Sequence, residues 1–73
     1  MTSAQQLRAI KEDRNWTVER MRELLNVDRI TVQRWLRQAR KDDGEELDGN
    51  SMRQPHKYMV AHAELLANKE EGV

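Results

Sequence analysis

Cysteine is missing from this chain, which excludes disulfide staples and thiolate metal sites. Phenylalanine is missing as well. Trp16, Trp35 and Tyr58 are the large aromatic residues, so a core must be built mainly from aliphatic side chains. One proline, Pro55, and three glycines leave long stretches without a backbone breaker. No alternation of β-branched residues marks a strand, and no repeat or low-complexity tract is present. Apolar runs stay short of signal-peptide or membrane-spanning length and the first residues are polar, which predicts a cytoplasmic protein without a membrane partner. No nucleophile stands in a pattern with a base and an orienting acid, so neither an enzyme nor a small-molecule substrate or cofactor is expected. At 73 residues the chain has room for one domain, residues 1–73, with a modest core.

Net charge is also absent: thirteen Lys/Arg stand against thirteen Asp/Glu. That balance hides a segregation. Residues 8–41 carry ten bases and five acids, a net of +5, and residues 42–73 carry three bases and eight acids, a net of −5. Binding depends on the local field rather than the sum, so the basic half is a candidate for a polyanionic partner. A lopsided solvated surface would account for the same counts.

What is present reads as helices separated by caps. Ser3 is the expected N-cap of a first helix reaching about Arg14, with Ala4, Leu7 and Ile10 in one stripe and Asn15 as a left-handed C-cap. Thr17 caps a second helix over about Val18 to Leu25 that buries Val18, Met21, Leu24 and Leu25. Trp16 stands where a hydrophobic staple would meet Met21. Asn26 ends that helix, and Asp28 caps a third that starts at Arg29. The connection Asn26-Val27-Asp28 has helix-turn-helix spacing.

The third helix is two-sided. Trp35, Leu36 and Ala39 fall within about 60° of Val32 on the wheel, which predicts the inward face. Ile30, Gln33, Arg34, Arg37 and Lys41 fall opposite, and no acid occurs between Arg29 and Lys41. A face needing only solubility would mix acids with its bases. Arg pairs bidentately with guanine, Gln with adenine, and an aliphatic group meets the thymine methyl, so this face has the chemistry of a reader of double-stranded DNA. For Ile30 the competing placement is under the second helix, at the turn.

The stretch LRAIKEDRNWTVERMRELLNVDRITVQRWL, from Leu7 to about Arg37, resembles the Cro/lambda-repressor-type helix-turn-helix family in first-helix length, turn spacing and apolar register. Asn15 and Asn26 fall where that family usually has Gly, Asp28 at its usual Ser cap, and Trp35 at a frequent core aromatic. Arg22 departs from the pattern: the family prefers a small residue there, and Arg22 must snorkel around the contact between the two motif helices. The resemblance implies an all-α, compact four- to five-helix lambda-repressor-like domain with its helix-turn-helix over about residues 17–41. It places Arg29, Ile30, Gln33, Arg34 and Arg37 at base-reading positions and Thr17 on a phosphate. Thr31, Arg40 and Lys41 are further expected phosphate contacts, the last two from the charge of the basic half. A helix N-terminus such as that at Thr17 attracts anions whatever the family. The implied function is sequence-specific transcriptional regulation, by a phage or mobile-element repressor seated as a homodimer on an inverted repeat. Two other readings stay open. One is an antitoxin-like interaction protein with autoregulatory DNA binding. The other is an excisionase-type recombination factor, which would need a hairpin over residues 42–54, a stretch lacking β-rich flanks.

Asp42 to Asp48 reads as a solvated acidic loop, placed where it would repel DNA phosphate. Pro55 suits the first turn of a final helix reaching about Lys69. Tyr58, Met59, His62, Ala63, Leu65 and Leu66 spread over about 160° of its wheel. Part of that arc must close the core, and Tyr58, Met59, His62, Leu65 and Leu66 are the expected homodimer surface. Arg53 and Lys57 read as a solvated pair. His56 lies too far round the wheel from His62 for shared metal ligation, so no metal site is expected.

Overall fold

Four helices follow one another: α1 (Ser3–Asp13), α2 (Val18–Leu25), α3 (Arg29–Asp42) and α4 (Lys57–Glu71). They are seen in a computed structural model that describes residues 1–46 and 54–71, and no strand occurs among those residues. Thr2, rather than Ser3, starts α1. Its Oγ1 accepts from the Gln5 amide at 3.2 Å, and Gln5 Oε1 accepts from the Thr2 amide at 2.8 Å, a complete capping box. Ser3 with Gln6 fits the same signature. Thr2 prevails because its hydroxyl also donates to Asp42 at 2.6 Å, a partner 40 residues along the chain.

Asn15 and Asn26 both adopt φ of 55°, the left-handed conformation that reverses the chain at a helix end. Thr17 caps α2 by accepting from the Arg20 amide at 3.0 Å. Asp28 has the extended backbone of an N-cap but makes no side-chain capping bond. Gly44, at φ of 98°, ends α3 in a conformation that disfavours any β-carbon.

α1 and α2 each pack against both α3 and α4. Leu7, Met21 and Val32 are fully buried at the centre, joined by Trp16, Leu25, Val60, Ala63 and Ala67. Each of the three large central side chains contributes about 1.5–3 kcal/mol by leaving water. The radius of gyration is 12.0 Å, close to the roughly 11 Å of a compact chain this long.

α4 turns a different face inward from the one expected. Val60, Ala63 and Ala67 are buried, Met59 and Leu66 are partly so, and Tyr58, His62 and Leu65 lie outside. Small residues let the α4 backbone approach its neighbours, and the bulkier ones are left on the far side. The helix begins at Lys57, with Pro55 buried just before it and the His56 carbonyl accepting from the Met59 amide at 2.8 Å. Trp35 is half-buried against the core rather than inside it.

Nor are the first acids after Lys41 a solvated loop. Asp42 is the last residue of α3, and its carboxylate accepts from Thr2 Oγ1, from Gln54 Nε2 at 2.7 Å and from the buried Gln38 Nε2 at 2.9 Å. Gln54 Oε1 in turn accepts from the Ala4 amide at 2.9 Å. Asp43 takes Gln5 Nε2 at 2.8 Å and Arg8 Nη1 at 2.6 Å. Both carboxylates thus sit at the first turns of α1, whose dipole favours anions. Leu47, Asp48 and Arg53, and with them most of the excluded hairpin, lie outside the described residues.

Candidate nucleic-acid interface

The site is built on α2, the turn and α3. Asn26 ends α2 with its amide bonded to the Arg22 carbonyl, Val27 packs on the core, and Asp28 swings the chain into α3. Val32 and Ala39 are completely buried, which fixes the rotation of α3 about its axis. That rotation leaves Ile30, Gln33, Arg34 and Arg37 exposed on the other side, with Ile30 at 61%. Ile30 therefore does not tuck under α2. By the 100° step, Ile30, Arg34, Arg37 and Lys41 share an arc of about 60°, with Gln33 at its edge.

Other expected contact residues are placed less directly. Lys41 and Thr31 are half-buried, Thr31 on the flank nearer the core. Arg40 is exposed and bound to Glu45 through Nε at 2.8 Å, an interaction that holds the Glu45 carboxyl below the ordinary carboxylate range. Arg29 sits at the margin of the outward face, where its guanidinium is bonded to Glu19 of α2. Glu19 also holds Arg22 at 3.1 Å, so Arg22 snorkels along the surface rather than into the contact between α2 and α3.

At the start of α2 the Thr17 hydroxyl is spent on the Arg20 amide, and the amides of Val18 and Glu19 have no intrahelical acceptor. Carboxylates crowd this end. Glu70 of α4 accepts from the Trp16 indole at 2.9 Å and from Arg20 Nη2 at 3.1 Å, and these donors hold its carboxyl below the ordinary range. Neither Glu19 nor Glu70 was among the residues singled out from the sequence. The position of Glu19 in the first turn of α2, opposite the first residue of α3, was the available signal for it. Glu70, 54 residues from Trp16, left none.

Comparison with protein-family models, curated proteins and solved structures finds no match.

A second exposed surface lies on α4. Tyr58 and Leu65 are 71% and 54% exposed, and His62 is exposed between them. Tyr58, Met59 and His62 line an open, mostly apolar groove of about 270 Å³ with Leu25 and His56. The His56 and Tyr58 rings stack at 4.6 Å, and Lys57 Nζ lies 5.5 Å from the Tyr58 ring centre. Of the five residues expected at a dimer surface, Tyr58, His62 and Leu65 are open and Met59 and Leu66 are partly engaged in the core. No helix among the described residues is long and apolar enough to cross a membrane.

Proposed function

We propose that this protein is a sequence-specific DNA-binding transcriptional regulator with a lambda-repressor-like fold, in which α3 enters the major groove. The observation that carries the reading is the exposed α3 face of Ile30, Gln33, Arg34 and Arg37, on a helix that has no acid from Arg29 to Lys41, backed by buried Val32 and Ala39. Gln33, Arg34 and Arg37 read base edges and Ile30 meets a thymine methyl. Arg40 and Lys41 take phosphates. Dimerisation through the open face of α4 sets two such helices on an inverted repeat, with half-sites about one turn, 34–36 Å, apart, and occupancy of a promoter represses it.

The test is selection from a randomised duplex pool, followed by titration of the selected and a random duplex across salt. Log K is expected to fall with log salt at about −0.9 per neutralised phosphate. Gln33→Ala, Arg34→Ala and Arg37→Ala should each relax preference at one or two base positions, by roughly tenfold to a hundredfold, with little change on random DNA. If all three return the wild-type consensus at uniformly lower affinity, α3 is not the reader.

A further inference from the structure

We infer that Glu19 sets the specificity of this interface: its carboxylate holds Arg29 for base reading and keeps both Arg29 and Arg22 off the phosphates. The inference rests on the DNA-binding reading above. Glu19 is the second residue of α2 and Arg29 the first of α3, so their ion pair spans the turn of the motif. Glu19 Oε1 takes Arg29 Nη2, and Oε2 takes Arg22 at 3.1 Å through both Nε and Nη2. One carboxylate is thereby shared between two guanidiniums, one on each helix. All three side chains remain substantially exposed, Arg29 at 60%, and Arg29 is the first residue of the helix that carries the reading face.

The consequence for binding follows from charge. Without Glu19, Arg22 and Arg29 would be two free cations beside the reading helix, available to any phosphate. With Glu19 the trio carries a net +1, and a phosphate drawing near must oppose a carboxylate already in place. A base edge carries no net charge and meets weaker opposition. Random duplex is bound mainly through phosphates, so the carboxylate weakens random binding more than specific binding. Arg29 spends one of its five donors on Glu19, and its remaining edge keeps a fork that suits a guanine. Glu19 is therefore a positioning residue that acts through Arg29.

Glu19→Gln keeps the shape of the side chain and removes the charge. The variant, with wild type beside it, is titrated with the selected duplex and with a random-sequence duplex over a range of salt. Glu19→Gln is expected to bind random duplex more tightly, with a log–log slope steeper by about 0.9 for each arginine released to a phosphate. Its ratio of selected to random affinity should fall by about tenfold or more, at the base positions that Arg29→Ala also relaxes. Glu19→Asp, which keeps the charge, should stay near the wild-type slope. Should Glu19→Gln fail to fold by circular dichroism, Arg29→Lys serves instead: it keeps the charge, loses the fork, and should relax the same base positions. Wild-type binding with an unchanged slope and ratio in Glu19→Gln, or an unchanged consensus in Arg29→Lys, overturns this inference alone. Wild-type protein that binds no duplex overturns the DNA-binding reading and this inference with it.

Discussion

Trp16 and Trp35 have changed places in importance between sequence and structure. Trp35 lies on the inward side of α3 by its wheel position, yet it is half-buried, whereas Trp16 is 5% exposed. The difference arises from groups far along the chain. A buried indole needs a partner for its N–H, and Glu70 supplies one from the last turn of α4. Trp16→Ala is accordingly expected to cost about 3–5 kcal/mol, enough to unfold much of so small a chain. Trp35→Ala should fall in the ordinary range of about 0.5–3 kcal/mol. Denaturant midpoints of the two variants measure the order directly, and an equal or reversed order would mean that the deep position belongs to Trp35. Residues whose behaviour is set within a few neighbours were legible. Asn26 ends α2 as expected and Asn15 turns left-handed one residue past Arg14, the actual C-cap of α1, both because Asn tolerates that region, and Thr17 caps α2 as its position foretold. Thr2 and Asp42 were not legible, since their bond joins opposite parts of the chain.

Among the elements, α3 was readable and α4 was not, for one reason. In α3 the apolar residues recur with helical period and long polar residues fill most of the rest, so Val32 and Ala39 set inside and outside. Gln38, buried and bonded to Asp42, and Lys41, half-buried, depart from that pattern. In α4, Tyr58, Met59, Val60, Ala61, Ala63, Leu65, Leu66 and Ala67 wrap most of the circumference, and hydrophobicity by itself selects no face. Backbone approach selected it, through Val60, Ala63 and Ala67. The bulky residues left outside make the dimer proposal testable without disturbing the core. Sedimentation over a concentration series should show a reversible dimer. Tyr58→Lys with Leu65→Lys should weaken it at least about tenfold, roughly 1.4 kcal/mol, while the thermal midpoint of the monomer stays put. A wild-type protein that remains monomeric at the highest concentrations, free and on a palindromic site, removes α4 as the dimer surface.

Across the whole molecule, the acidic half is laid upon the basic half. Asp43 meets Arg8 at 2.6 Å, Glu45 meets Arg40 at 2.8 Å and Glu70 meets Arg20 at 3.1 Å, each pair joining residues 8–41 to residues 42–73. The sequence exposed the segregation but not its use, which depends on how the chain returns upon itself. Among the described residues, much of the neutralisation falls around α1 and the ends of α2 and α3, while Ile30, Gln33 and Arg34 stand exposed on a stretch of α3 that itself carries no acid before Asp42. A pH dependence follows. The Asp42 carboxyl is held below its ordinary range by the Thr2 hydroxyl first and by Gln54 and Gln38 as well, Glu45 by Arg40, and Glu70 by the Trp16 indole and Arg20. A carboxyl whose folded pKa is depressed gives its full stabilisation above the unfolded value, about 3.9–4.3, and loses it as pH falls through the folded one. The thermal midpoint should therefore hold steady near neutrality and drop between about pH 5 and pH 2. Gln38 donates to one oxygen of Asp42, and Gln54 and Thr2 donate to the other. Asp42→Asn sets an NH₂ against one of these sides, so it should begin lower at neutral pH, by about 1 kcal/mol or roughly 4–8 °C. Having lost one of the titrating groups, it should also fall less on acidification than wild type. Calorimetry of both proteins at stepped pH decides the matter: parallel acid profiles would show that the bonds joining Thr2, Gln38 and Gln54 at Asp42 do not couple its ionisation to folding.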